Sequence, residues 1–189
     1  MDPKGLEKAF ASTGAVLAGV TAAQLDESTP CASWKVRELV NHIVGGTMYF
    51  TAVAQTGNPP AGAGDPPDFA AADDRVAVFN KGAAEAVQAF SAEGAMDRIM
   101  HLPFGDLPGS VFINIAAIDT FAHGWDLAKA TGQPTDLDPA LATEMLGFAQ
   151  ASFPDEMRGP EPALFGPRVE APAGASPADQ LAAFLGRQP

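Results

Sequence analysis

The residues most able to do chemistry lie in the segment 111–127. Asp119 and His123 are four residues apart, so in a helix their side chains share one face, one turn apart. A rotation of about 100° per residue places Asp126 on the same face. The rest of the segment is apolar nearly all round, which is typical of a buried helix. A buried carboxylate needs compensation, and the spacing allows either a shared divalent metal ion or an Asp–His hydrogen bond.

His42 is the candidate for a third ligand. It borders the apolar stripe of a helix predicted over 33–55, and Gly45 and Gly46 leave room there for a close approach. Two histidines and one carboxylate with open positions are a common set for catalytic zinc or non-haem iron. One hypothesis is therefore a single divalent metal ion held by His42, Asp119 and His123, with Asp126 and Trp125 around it. The other is a structural Asp–His cluster in the core, and the spacing alone leaves both open.

Other polar residues compete weakly with this site. Glu38 is one turn from His42, but we interpret it as solvated and favourable for the helix N-terminus, against a dinuclear carboxylate site. Cys31 precedes a predicted helix, where a thiolate would be favoured, yet we expect it to pack as a small buried residue. His101 is expected in a surface loop. Ser33 and Ser110 lack the context of a serine nucleophile.

Helical periodicity and capping residues predict the elements that position these side chains. Ser33, Asp138 and Ser176 are the expected N-caps, and Gly132 is expected just after the end of the fourth helix. These features predict an all-α four-helix bundle with short C-terminal helices, as a single domain over 1–189 on which a tail of 154–189 packs. The predicted helices span 4–24, 33–55, 69–92, 110–131, 138–152 and 176–185, with connections at 56–68 and 101–109 and a short extended piece at 168–171.

Charge and composition exclude several classes of function. The net charge is −12, from 23 acidic and 11 basic residues, without a Lys/Arg cluster, so neither nucleic acid nor an anionic membrane is an expected partner. A single cysteine and an amphipathic first helix, in place of a signal peptide, favour a cytoplasmic protein. We expect a small-molecule substrate, and the pattern leaves open whether the chain forms a homodimer.

Two segments resemble a known family. Thr29-Pro30-Cys31 followed by Trp34 to His42, and later Pro103-Phe104-Gly105 followed by Asp119 to Gly132, are similar to the signatures of DinB-like proteins of the mycothiol-dependent maleylpyruvate isomerase type. The C-terminal segments Phe165-Gly166-Pro167, Ser176 to Asp179 and Gly186-Arg187 are similar to those of short actinobacterial members.

The resemblance implies a DinB-type bundle whose zinc or nickel ion is held by His42, Asp119 and His123. It also implies a transferase or isomerase that uses a low-molecular-weight thiol such as mycothiol. Asp119 stands where the isomerase carries a longer glutamate, and only a short tail replaces the isomerase's C-terminal domain, so isomerisation of maleylpyruvate itself is not expected. The alternatives are a metal-dependent hydrolase and a non-enzymatic binding or stress-response module with a structural Asp–His cluster.

Overall fold

Helices dominate the structure, a computed structural model that describes residues 1–60, 67–159 and 165–189. The chain divides into two compact units, Met1–Thr131 and Gly132–Pro189. The expected all-α class is confirmed, with one small β-hairpin as the addition. The expectation of a single domain over 1–189 stays a prediction. Among the described helices, none is both long and apolar enough to cross a membrane.

The first unit contains four long helices packed in a ring. Helix α1 contacts α3 and α4, and helix α2 contacts the same two neighbours, so this unit is a four-helix bundle. Buried phenylalanines from all four helices fill its centre. The helices are α1 (Pro3–Ala18), α2 (Val36–Thr56), α3 (Arg75–Ser91) and α4 (Gly109–Ala130).

Helix α4 is buried on almost every side, as its uniformly apolar sequence predicted. Its closest neighbour is α1, because Gly124 has no side chain and lies against Thr13. A Cβ atom placed on Gly124 would be 2.4 Å from Thr13 Oγ1. That hydroxyl donates a buried hydrogen bond of 2.9 Å to the carbonyl of Thr120. A close approach was also expected at Gly45 and Gly46, but a Cβ atom there would lie 3.9 Å from a Phe69 ring atom and 3.6 Å from a Phe50 ring atom, which are ordinary contact distances.

Three predicted helix boundaries are wrong for local reasons. The first helix ends at Ala18, and a separate 3₁₀ turn, Ala22–Gln24, follows. Helix α2 begins at Val36 instead of residue 33, because the Lys35 N–H donates to Glu38 Oε2 (2.9 Å) and so caps the helix there. The predicted helix over 69–92 is divided into a 3₁₀ turn, Phe69–Ala71, and α3. The fourth helix ends at Ala130, one residue before the predicted end. Gly132 follows it with a left-handed φ of 67°.

The connection predicted over 101–109 is largely a hairpin. Strands β1 (Ile99–Leu102) and β2 (Gly105–Pro108) pair antiparallel, with Ile99 opposite Pro108 and Leu102 opposite Gly105. The hairpin is attached to the end of α2, because the His101 N–H donates to the carbonyl of Gly57 at 2.7 Å. The connection predicted over 56–68 lies partly outside the described residues.

The second unit contains α5 (Pro139–Ser152) and α6 (Pro177–Phe184), which pack on each other. Both predicted N-caps are present. Asp138 Oδ1 accepts from the N–H of Leu141 at 3.1 Å, and Ser176 Oγ accepts from the N–H of Asp179 at 3.1 Å. The piece expected to be extended at 168–171 is not part of a strand.

Candidate metal centre

Asp119 and His123 meet on one face of α4, one helical turn apart. His123 Nε2 lies 3.6 Å from Asp119 Oδ1. The side chain of His123 is only 12% exposed, whereas that of Asp119 is 33% exposed. The carboxylate therefore faces both the bundle interior and a solvent-accessible edge, and the spacing-based expectation of a shared face holds.

Helix α2 brings His42 to the other oxygen of the same carboxylate. His42 Nε2 is 3.4 Å from Asp119 Oδ2, and the two imidazole rings meet edge to face with centroids 4.6 Å apart. One donor atom from each of the three side chains lies within 4.8 Å of the other two. The packing of α2 against α4 thus gathers His42, Asp119 and His123, the set that the sequence predicted as ligands.

The donor atoms fit a divalent cation. His42 Nε2 is shielded from solvent and has no hydrogen-bond partner among the described residues, although Asp119 is near. Such a buried polar atom calls for a partner. In tetrahedral zinc sites, bonds of 2.0–2.2 Å place neighbouring donor atoms roughly 3.3–3.5 Å apart. The 3.4 and 3.6 Å separations are close to that spacing. The partial exposure of Asp119 leaves a side from which another ligand could enter.

The electrostatic field at this point favours a cation. Burial by itself would lower the pKa of His42, but the carboxylates of Asp119 and Asp126 outweigh it and raise that pKa above its ordinary value. The position of the imidazole thus already favours positive charge. A divalent ion would replace the proton and meet the same two carboxylates.

Asp126 supports His123 from behind. Its side chain is fully buried, and its Oδ2 lies 3.1 Å from His123 Nδ1. When an ionised carboxylate accepts the Nδ1–H of a histidine, the Nε2 lone pair is left free. In His123 that lone pair is on the side of Asp119 and His42. The structure therefore places Asp126 beside the predicted ligands, in the position of an outer partner.

Cys31 is a site residue that the sequence reasoning missed. It does not pack as a small fully buried residue. It is half-buried, and its Sγ lies 3.2 Å from Asp126 Oδ2 and 3.7 Å from His123 Nδ1. Thr29 shapes the loop that presents it, accepting from the Cys31 N–H at 3.1 Å and donating to the Trp34 carbonyl at 2.8 Å. Periodicity could not reveal a contact between residues 95 positions apart.

Trp34 supplies the aromatic wall of the site. Its ring centroid is 4.7 Å from that of His42 and 5.6 Å from that of His123. Trp125, the tryptophan predicted to surround the ligands, is fully buried in the bundle, with the Lys129 ammonium 5.9 Å from its ring centroid. The one sequence feature that could have indicated Trp34 as a site residue is its position in the same short segment as Cys31.

The remaining candidates lie elsewhere. Glu38 is exposed and caps α2, as its solvated interpretation predicted. His101 is on the exposed hairpin, 3.0 Å from Asp106, and so has the surface position expected of it, although in a strand.

Fold and site together define a helical-bundle protein with a candidate mononuclear metal centre between two helices. Residues 6–128 match the family model described as the mycothiol maleylpyruvate isomerase N-terminal domain. The chain belongs to this family, and the resemblance found in the sequence is confirmed. The matched range includes every residue of the site, from Cys31 to Asp126.

Two Mycobacterium tuberculosis proteins are similar over nearly the whole length. They are named uncharacterized protein MT0763 (strain CDC 1551 / Oshkosh) and uncharacterized protein Rv0738 (strain ATCC 25618 / H37Rv). Each is 43% identical over 188 residues, which cover 99% of this chain and 98% of the relative. No solved structure matches the chain significantly.

Proposed function

We propose that this chain is a divalent-metal-dependent enzyme that transfers or isomerises a small substrate with a low-molecular-weight thiol of the mycothiol type. The observation that carries the proposal is the convergence of His42 Nε2, His123 Nε2 and the Asp119 carboxylate at a partly exposed edge of the bundle. Membership in the mycothiol maleylpyruvate isomerase N-terminal domain family supports the choice of thiol.

Three side chains would hold the ion: His42, Asp119 and His123. Zinc or nickel bound there would act as a Lewis acid that stabilises the thiolate form of a thiol at neutral pH. All three donors belong to two helices of a packed bundle, so the protein provides a rigid set of ligands and needs little rearrangement to use it.

The other site residues define what the protein itself contributes. Asp126 orients the His123 ring through Nδ1, and Trp34 covers one side of both imidazoles, which keeps water from that side. The exposed part of Asp119 leaves one approach for a thiol and an electrophilic substrate. The identity of the ion, the substrate, a cytoplasmic location and self-association stay predictions.

Elemental analysis of tag-free protein is the first test. We expect about one equivalent of zinc or nickel in the wild type and loss of the ion in His42→Ala and Asp119→Ala, because three donors are the minimum for such a site. His101→Ala is the matched control, since it removes an exposed histidine outside the cluster and should keep the ion. Ion at 100 times Kd should stabilise the wild type by about 2.7 kcal/mol and raise Tm by roughly 5–11 °C.

Thiol dependence is the second test. Metal-loaded protein is titrated with mycothiol and, as a comparison, glutathione, and thiol consumption is followed with an electrophilic acceptor. Turnover with a thiol and its loss in His42→Ala would support the proposal. Hydrolysis of esters or amides without any thiol would replace it with a hydrolase. If the wild type stays free of metal even after reconstitution, the cluster is a hydrogen-bonded element of the core, and the enzyme proposal fails.

A further inference from the structure

The side chains of Cys31 and His123 meet at one carboxylate oxygen behind the candidate metal centre. Cys31 Sγ and His123 Nδ1 lie 3.2 and 3.1 Å from the same atom, Asp126 Oδ2. Asp126 comes from α4 and is 0% exposed, whereas Cys31 comes from the loop before α2. The thiol S–H donates to this buried carboxylate, and the imidazole Nδ1 lies at hydrogen-bond distance from the same oxygen.

We propose that Cys31 is a positioning residue for His123, acting through Asp126. The thiol holds the Asp126 carboxylate in its orientation, and that carboxylate favours the Nδ1–H tautomer of His123, with Nε2 free for an ion. This inference rests on the proposed function only in assigning His123 as a ligand.

The physical reason is the cost of burying a charge. An ionised carboxylate in the bundle interior is tolerated only if donors surround it. Without the thiol, Asp126 loses a donor at Oδ2, and its carboxylate is less firmly held in the orientation that faces His123 Nδ1. This loss weakens the preference of His123 for the Nδ1–H tautomer. A histidine that carries its proton on Nε2 has no lone pair there for a cation.

Two other roles for Cys31 are a nucleophile, which the geometry disfavours, and a metal ligand, which needs a test. The negative charge of Asp126 next to the sulfur disfavours a thiolate, so Cys31 is poorly placed as a nucleophile. The sulfur also lies at the Nδ1 edge of the His123 ring, away from Nε2. A thiophilic metal ion could also be held at a second position, because one ligand atom each from Cys31, His123 and Asp126 lies within reach of the other two. The experiment must therefore distinguish positioning from ligation.

The tautomer of His123 can be measured directly in metal-free protein. Two-bond ¹H–¹⁵N spectra are recorded above the pKa of the imidazoles, with His42→Ala and His101→Ala used for assignment. We expect the Nδ1–H form in the wild type and the Nε2–H form in Asp126→Asn, whose amide donates to Nδ1. Cys31→Ala should give a mixture, and Cys31→Ser, which keeps a donor, should restore the wild-type form.

Ion affinity gives the second readout. Removal of an outer partner of a ligating histidine typically weakens metal binding by 10–100-fold, and the weak thiol donor should fall near the lower end, about tenfold, in Cys31→Ala. Cys31→Ser should recover most of that loss. An unchanged tautomer and an unchanged Kd in Cys31→Ala would reduce Cys31 to packing and overturn the proposal.

Cobalt(II) tests the ligation alternative. A sulfur-to-cobalt charge-transfer band in the wild type that disappears in Cys31→Ser would make Cys31 a ligand and overturn the positioning role. Absence of that band, together with retained cobalt binding, is the expected result. The tautomer measurement needs neither ion nor turnover, so its result can be interpreted even if the proposed enzyme activity is absent. The wild-type tautomer in Cys31→Ala would refute the inference even in an active enzyme.

Discussion

Replacement of Gly124 by alanine tests whether the packing of α1 against α4 sets the stability of the bundle. The new Cβ would lie 2.4 Å from Thr13 Oγ1, 3.1 Å from Thr13 Cβ and 3.2 Å from Thr13 Cα. Rotation of the hydroxyl removes the first contact, but it breaks the buried hydrogen bond to the Thr120 carbonyl. The contact with the α1 backbone remains in either case, so the two helices must separate.

The expected magnitude follows from three contributions. Overpacking in a well-packed core costs about 1–3 kcal/mol, and loss of the buried hydrogen bond costs about 1 kcal/mol. Alanine in place of glycine within a helix returns about 0.5–1 kcal/mol. We therefore expect Gly124→Ala to lower the free energy of unfolding by about 1–3 kcal/mol, measured by urea denaturation of metal-free protein.

Gly45→Ala is the matched control in the same bundle. Its nearest neighbour, a Phe69 ring atom at 3.9 Å, is at ordinary contact distance, so this variant should gain about 0.5–1 kcal/mol. In the double variant Thr13→Ala/Gly124→Ala the 2.4 Å contact with Oγ1 is removed, while the contacts with the Cβ and Cα atoms of residue 13 remain. The two effects should therefore be non-additive by about 0.5 kcal/mol or more. Unchanged stability in Gly124→Ala, or additive effects in the double variant, would refute the reasoning.

Three further predictions concern the site. Asp119 and Asp126 raise the pKa of His42 above 6.5, so its protonation stabilises the metal-free fold below that pH. This contribution is lost as pH rises through the folded-state pKa. The free energies of unfolding of wild type and His42→Gln, measured in urea, should therefore converge as pH rises, and a constant difference would contradict the prediction. Metal affinity should rise over the same interval, because proton and ion compete for Nε2, and a calorimetric Kd that does not change with pH would contradict this competition. Trp34→Leu should lower stability by about 1 kcal/mol through loss of its ring contacts with His42 and His123, whereas Trp34→Phe should lose less.

Helical spacing was sufficient to predict half of the candidate site. Asp119, His123 and Asp126 are neighbours on α4 by the period of the helix alone, and the apolar surroundings predicted the burial of α4. His42 required a further assumption, that α2 packs beside α4, which residue patterns within one helix do not contain. The structure shows that α2 packs beside α4, and this packing brings His42 to the two α4 side chains.

The parts that could not be predicted depend on hydrogen bonds between distant residues or on competing local ones. Cys31 reaches Asp126 only through the fold of a loop, and its sequence position was equally compatible with simple packing. The start of α2 was predicted early because Ser33 is a good N-cap residue, whereas the Lys35–Glu38 contact determines the actual start. The hairpin over Ile99–Pro108 was missed because prolines and glycines there indicated a connection, and four-residue strands carry little periodicity.

The position of Trp34 has a practical consequence for optical work. The chain has two tryptophans: Trp34 lies against the imidazoles of the candidate centre, and Trp125 is buried in the bundle core. Binding of an ion in place of the His42 proton changes the charge beside the Trp34 indole, so Trp34 emission should change when the site is loaded. The unlabelled protein thus carries its own reporter, with which ion loading and its competition by thiols can be followed by stopped-flow fluorescence.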